Sequence, residues 1–172
     1  MKNILENVEM KDGVELATDV YLPKKEGRYP TLLIMTPYGK DQMKTFARPF
    51  VESGYSLVVQ DVRGRYDSGG SFDPINQEKT DGLKTVEWIE EQDWYDTDTG
   101  IGVVGISYLS TCAFPAAAEK ESIKAMINVG GFSNTYDLTH RGGAKVLHHS
   151  LPWSIIISYS PQPDLSEIDW EE

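Results

Sequence analysis

Over the first 130 residues, short apolar runs alternate with amphipathic stretches, and glycine, proline or polar turns bound each run. Residues 4–10 and 15–22 read as extended segments joined at Lys11-Asp12-Gly13, where an aspartate that bonds its own backbone precedes a flexible glycine; a hairpin is expected. After the proline-bounded loop 23–30, Thr31-Leu32-Leu33-Ile34-Met35 is continuously apolar, the pattern of a strand covered on both faces. Phe46, Phe50 and Val51 recur at helical spacing before Gly54, and residues 55–61 supply the next strand. A glycine-rich loop over residues 63–71 then extends from that strand's carboxyl end, where open α/β sheets place their sites. Within 77–92, Leu83, Val86, Trp88 and Ile89 form an apolar stripe among Glu and Lys, which predicts an amphipathic helix. A third central strand leads into Ser107, a small-residue helix continues through 113–118, and residues 123–129 are a fourth strand. Buried strands alternating with helices imply a mainly parallel sheet in an α/β fold. Beyond Gly130-Gly131 that alternation stops. The remaining residues carry three histidines (140, 148, 149), an apolar patch over 153–159 that reads as a helix awaiting a partner surface, and an acidic, proline-bearing tail over 160–172.

Composition narrows the function classes. With 172 residues, 40% hydrophobic and 25% charged, the chain can bury the core of one domain. A net charge of -11 and the lack of any basic cluster argue against nucleic acid as a partner. Cys112 stands alone and has no partner for an internal disulfide; it reads as a small apolar helix residue. The first residues lack the apolar stretch of a signal peptide and no run is long enough for a membrane span, so a cytoplasmic protein without membrane contact is expected. No cofactor or metal site is expected. Gly100-Ile101-Gly102-Val103-Val104-Gly105 matches a dinucleotide fingerprint in letters, yet the apolar strand lies between its glycines rather than before them. Asp96-Thr97-Asp98-Thr99-Gly100 opens like a calcium loop but misplaces the glycine and lacks the closing Glu, so a polar turn capped by aspartates is the reading. His148-His149 makes a poor metal pair, since adjacent side chains diverge.

The candidate chemistry sits at Gly102-Val103-Val104-Gly105-Ile106-Ser107-Tyr108, a buried strand ending in a serine before a small-residue helix. A serine at a sharp strand-to-helix turn is held clear of its neighbours, beside the first free N–H groups of the helix. Its alternative is an ordinary turn serine.

Asp61-Val62-Arg63-Gly64-Arg65 with Ser68 and Gly70, then Trp88-Ile89, Gln92 and Trp94, and finally Gly105-Ile106-Ser107-Tyr108, resemble in their order the N-terminal half of the cocaine esterase and X-Pro dipeptidyl-peptidase family, a branch of the α/β-hydrolases. The likeness runs from about Val8 to about Trp153. It implies an α/β-hydrolase core with an N-terminal hairpin, a mostly parallel central sheet with helices on both faces, and the start of a helical cap. Residues 1–130 would be a partial core, and 131–172 the start of the cap region with the acidic tail. It also implies Ser107 as nucleophile, the Tyr38 hydroxyl as one oxyanion donor, and the Tyr108 backbone N–H as the other. Read without the resemblance, Tyr38 is also compatible with a half-buried tyrosine at a strand end.

The chain departs from the family pattern at several points. Ser110 stands where glycine is usual and is expected to crowd the strand behind it, the turn from Trp94 to Gly105 is longer than usual, and Pro115 falls about two turns into its helix. The family's acid and histidine come from later strands, after a cap, and no residue here matches them. The expectation is therefore the first part of a larger hydrolase (a fragment, a truncated reading frame or one piece of a split enzyme) with an unpaired sheet edge. Ser107, Asp137 and the histidines do occur in the order serine, acid, histidine, although order is not geometry. Arg63, Arg65 and Asp67 are expected to tie the glycine-rich loop together by surface ion pairs, or to orient substrate at its rim.

Two functions compete. One is a serine hydrolase whose partner is a small-molecule ester, an amide or an X-Pro peptide. The other is a noncatalytic remnant or subunit that binds a partner chain through the unfinished edge, as a homo-oligomer or with a complementing C-terminal chain.

Overall fold

The computed structural model describes residues 1–132 and 134–158. Residues Met1–Gly131 form one compact unit and Phe132–Glu172 a second. In the first, β1 (Lys2–Glu9) and β2 (Glu15–Leu22) make the expected hairpin, with Glu9 opposite Glu15. Its turn closes through Met10 N–H to the Val14 carbonyl at 2.7 Å, and Gly13 takes φ 80°, a value that favours glycine. β3 (Thr31–Thr36), β4 (Ser56–Asp61), β5 (Ile101–Ile106) and β6 (Ile123–Val129) then build a six-stranded sheet in the order β1-β2-β4-β3-β5-β6. β2 meets β4 antiparallel, whereas β4, β3, β5 and β6 run parallel.

The two central strands were legible because both their faces are covered. Leu33, Met35, Leu57, Val58 and Val59 are fully buried, each contributing about 1.5–3 kcal/mol of apolar transfer. One core cluster joins Tyr21, Ile34, Leu57 and Val59 to Ala47 and Val51 of α1 (Lys44–Glu52) and to Leu109 of α3 (Tyr108–Ala117). The buried stripe of α1 is rotated from the expected one: Ala47 and Val51 are inside, and Phe46 is 54% exposed. A single-turn 3-10 helix, Lys40–Met43, leads into α1.

α2 (Glu78–Glu90) departs further from its apolar stripe. Its buried face comprises Glu78, Asp81, Gly82, Thr85, Val86 and Ile89, while Leu83 and Trp88 are only half-buried. The polar members are inside because each meets a partner distant in sequence. Thr85 Oγ1 donates to Gln60 Oε1 at 2.8 Å, and Gln60 Nε2 donates to Thr18 Oγ1 at 3.0 Å. Arg63 binds Asp81 through Nε at 2.9 Å and Nη2 at 2.8 Å, and binds Asp12 through Nη1 at 2.6 Å and Nη2 at 3.1 Å. These bonds string β2, β4, α2 and the hairpin turn together. They correct the surface reading of the arginines, since Arg63 is 9% exposed and Arg65 only 2%.

Close approach of helix to strand depends on glycine. A Cβ on Gly105 would stand 2.4 Å from Ser110 Cα and N, so no other residue fits beneath the first turn of α3. The atoms of Ser110 over Gly105 are backbone atoms, while its side chain lies against a second glycine: a Cβ on Gly131 would meet Ser110 Cβ at 2.7 Å. The Ser110 hydroxyl is buried there with no hydrogen-bond partner among the described residues. Cys112 is wholly buried, and desolvation pushes its thiol well above the ordinary range, so it packs as a small apolar group.

β6 pairs with β5 alone among the described residues, and Met126, Ile127 and Val129 on it are 43%, 53% and 52% exposed. The second unit holds α4 (Thr135–Thr139), whose N-terminus is capped by Asn134 accepting from Tyr136 N and Asp137 N, a short hairpin of β7 (His140–Arg141) and β8 (Ala144–Lys145), and α5 (Leu147–Ser158). The expected apolar helix falls within α5; Tyr159 and the acidic tail lie outside the described residues. No described helix is long and apolar enough to cross a membrane.

Arg63→Met strands the buried Asp81 carboxylate, and urea unfolding is expected to show a loss of about 3–5 kcal/mol; a loss below about 1 kcal/mol would mean that the pair behaves as an exposed one. Ser110→Ala removes an unpaired buried hydroxyl and is expected to raise stability by about 1 kcal/mol in the same assay.

Candidate active site

The turn that joins β5 to α3 carries its strain on one residue. Ser107 adopts φ 54° and ψ -123°, a region that costs a non-glycine residue about 1–3 kcal/mol, and its side chain is exposed. Several contacts hold it there. Ser107 N–H donates to the Val129 carbonyl of β6 at 2.7 Å, and the Ser107 carbonyl accepts from Ser110 N at 3.1 Å. Tyr108 anchors the other side: fully buried, its hydroxyl donates to Glu78 Oε1 at 2.6 Å and accepts from Ile75 N at 3.0 Å. Burial, with the nearby Cys112 and Glu78, drives the Tyr108 phenol far above its usual range, so it remains a neutral donor. The Tyr108 backbone nitrogen occupies the first position of α3.

Tyr38 lies just past the end of β3. Since β3 and β5 are adjacent and parallel, the bend that carries Tyr38 and the turn that carries Ser107 emerge from the same edge of the sheet. Tyr38 is half-buried and packs against the Tyr21–Leu57 core, while its N–H donates to Thr36 Oγ1 at 3.1 Å. The segment after β4 surrounds this bend. Arg65 Nε donates to the Pro37 carbonyl at 3.0 Å, and Lys40 N–H donates to Asp61 Oδ1 at 2.7 Å. Lys40 Nζ donates to Asp67 Oδ2 at 2.6 Å and lies 3.9 Å from Asp19 Oδ1, whose carboxylate also accepts from the Tyr21 hydroxyl at 2.8 Å. Ser68 Oγ donates to the Asp61 carbonyl at 2.7 Å and accepts from Ala17 N at 2.9 Å, fastening the loop to β2 and β4.

The electrostatics derive from burial. Asp61 is 1% exposed, and desolvation pushes its carboxyl up to about 6, against the pull of the Lys40 N–H and ammonium. Arg65 is lowered by desolvation, with Tyr66, Asp61 and Tyr38 opposing that fall. Sequence reasoning missed Lys40, Asp19, Tyr66 and Glu78. Their only signal was the proximity of Lys40 and Tyr66 to residues already singled out.

The histidine-bearing unit offers no acid–base pair of its own among the described residues. His140 Nδ1 lies 2.9 Å from Thr139 Oγ1 and its ring stacks on Tyr136 at 4.2 Å, while Asp137 Oδ2 accepts from Asn134 Nδ2 at 2.8 Å. Asp96–Gly100 is the aspartate-capped turn expected: Asp98 N donates to Asp96 Oδ1 at 3.0 Å and Gly100 N to the Asp96 carbonyl at 3.1 Å.

Known proteins share this arrangement of sheet and turns. Residues 12–169 match the family model of the X-Pro dipeptidyl-peptidase (S15 family). A cocaine esterase from Rhodococcus sp. (strain MB1 Bresler) is 35% identical over 159 residues, 87% of this chain and 27% of that protein. The crystal structure of a CocE/NonD family hydrolase from Staphylococcus aureus superposes with a TM-score of 0.70 at 25% identity, covering 84% of this chain and 31% of the other. An aminopeptidase from the marine sediment archaeon Thaumarchaeota archaeon reaches a TM-score of 0.80 at 21% identity over 99% of this chain and 32% of its own, a likeness of fold. The chain thus spans between a quarter and a third of the length of these relatives. With a family model matched from the hairpin turn onward and a sheet that superposes on α/β-hydrolases, the chain belongs to the X-Pro dipeptidyl-peptidase (S15) family.

Proposed function

We propose that this chain carries the reacting serine and the oxyanion donors of a hydrolase that cleaves an ester or amide bond, X-Pro peptide bonds included, through an acyl-enzyme on Ser107. The observation that carries the reading is the conformation of Ser107: exposed, at φ 54°, on a turn so tight that only glycine fits at position 105. In this reading Ser107 Oγ bonds to the substrate carbonyl carbon while the carbonyl electron pair moves onto oxygen. The oxyanion then accepts from the Tyr38 hydroxyl and the Tyr108 N–H; its electron pair re-forms the carbonyl as the bond from that carbon to the leaving group breaks, and the Oγ proton passes through a base to the departing group. Water repeats the sequence to free the acid and restore the serine. The base and its acid are proposed to come from a further stretch of polypeptide, either an extension of this chain or a complementing C-terminal chain. The family matched and the cocaine esterase relative support hydrolysis of acyl bonds as the reaction class.

A second reading is a noncatalytic subunit that acts by partner binding. The exposed apolar residues of β6 favour it, as do the engagement of His140 with Thr139 and of Asp137 with Asn134. A homo-oligomer or a heterologous assembly would cover that edge.

With that further polypeptide in place, intact-mass analysis after treatment with a fluorophosphonate is expected to give one adduct per serine turn, lost in Ser107→Ala; a folded assembly that never reacts would transfer the function to the binding reading. Tyr38→Phe keeps the ring and removes one donor, and is expected to slow acyl transfer about 10²–10³-fold. An unchanged rate would remove Tyr38 from the site.

A further inference from the structure

We propose that Arg65, together with Asp61, is a positioning residue for the hydroxyl of Tyr38, the segment after β4 serving as a clamp on the bend after β3. The inference rests on the reading of Tyr38 as an oxyanion donor. Tyr38 stands in a bend, half-buried, without a strand ladder beyond Thr36 to fix it. A donor of this kind acts only when held within about 0.5 Å of its place.

The clamp grips the bend from the groups next to Tyr38. Before it, the Pro37 carbonyl takes Arg65 Nε at 3.0 Å. After it, the Tyr66 ring lies against Gly39, where a Cβ would come within 3.0 Å of Tyr66 Cε1. One residue further, Lys40 N–H goes to Asp61 Oδ1 at 2.7 Å and Lys40 Nζ to Asp67 Oδ2 at 2.6 Å. Val62 N–H to the Thr36 carbonyl at 3.0 Å closes the start of the bend. Residues 61, 62, 65, 66 and 67 of one short segment therefore hold Thr36, Pro37, Gly39 and Lys40 of the bend.

Arg65 is itself immobilised. It is 2% exposed, and its guanidinium lies 5.5 Å from the Tyr66 ring centre and 5.6 Å from that of Phe72, within reach of cation–π attraction to both. Tyr66 reaches Gly39 from a left-handed backbone at φ 49°, and Gly39 has φ 96°. The strained backbone of Tyr66, set against a Gly39 whose φ favours glycine, marks a bend whose shape is imposed by its surroundings. Surface ion pairing explains none of this, because Arg65 points at a carbonyl from the interior.

The test uses the full-length protein containing this chain, with 3-fluorotyrosine placed at position 38 for 19F NMR and p-nitrophenyl acetate as the acyl donor. Asp12→Asn, which weakens the remote Arg63 pairing, controls for general destabilisation. Arg65→Met is expected to shift or broaden the fluorine resonance where Asp12→Asn does not, and to lower kcat about 10–100-fold with KM within about twofold. Arg65→Lys, which can still reach a carbonyl but lacks the planar fork, is expected to recover part of that loss. In a Tyr38→Phe background, Arg65→Met should cost less than about threefold, because its effect passes through the missing hydroxyl. Losses that multiply, with Tyr38→Phe itself slow, would overturn the clamp and leave Tyr38 as a donor. A Tyr38→Phe protein of full activity would overturn the donor reading and the clamp with it. A fluorine resonance unmoved by Arg65→Met would overturn the clamp whatever the kinetics.

Discussion

A serine at φ 54° relaxes into an ordinary turn unless its neighbours block every alternative, and the junction of β5 with α3 is built to block them. Gly105 lets the first turn of the helix descend onto the strand, the Val129 carbonyl takes the Ser107 N–H, and the buried Tyr108 phenol is tied to Glu78 and Ile75. The partners come from β6, from α2 and from the loop before α2. The strained turn is therefore a property of the assembled sheet, and the core of Leu33, Leu57, Val58 and Val59 supplies the stability that opposes its strain.

The same sheet edge is fixed by an interior unusually rich in charge. Arg63 satisfies Asp12 and Asp81 together, Gln60 links Thr18 to Thr85, and Lys40 lies among Asp19, Asp61 and Asp67. Asp12 and Asp67 are exposed, but Arg63–Asp81 is buried at both ends, and such a pair contributes little net stability against apolar replacements of the same shape, while losing one partner is costly. Their effect is geometric. They tether the glycine-rich loop to the hairpin turn, to α2 and to the bend, and that loop in turn surrounds the bend that carries Tyr38.

How much of this could be read from sequence depends on how far away the deciding partners lie. The hairpin, the central strands and the serine turn are local patterns, set by apolar runs and by glycine at positions 13 and 105. The buried face of α2 is not local. Asp81 and Thr85 look like solvent residues until Arg63 and Gln60, 18 and 25 positions away, arrive to pair with them. Arg63 and Arg65 likewise read as surface charges because only the folded loop turns them inward. Phe46 misled for a simpler reason: at one helical step from Ala47 it sits on the margin of the stripe, and the small residue takes the inside. Tyr38 was legible only through resemblance, since its emergence from the same end of the sheet as the serine turn depends on β3 and β5 being neighbours although 65 residues separate Thr36 from Ile101.

The central claim is that this sheet edge presents Ser107 beside two preplaced oxyanion donors. A crystal structure of the full-length protein with a phosphonate bound at Ser107 tests it most directly. The account predicts a phosphonyl oxygen within about 3 Å of both the Tyr38 hydroxyl and the Tyr108 nitrogen. A phosphonyl oxygen directed into solvent, or a Tyr38 ring turned away from it, would contradict the account.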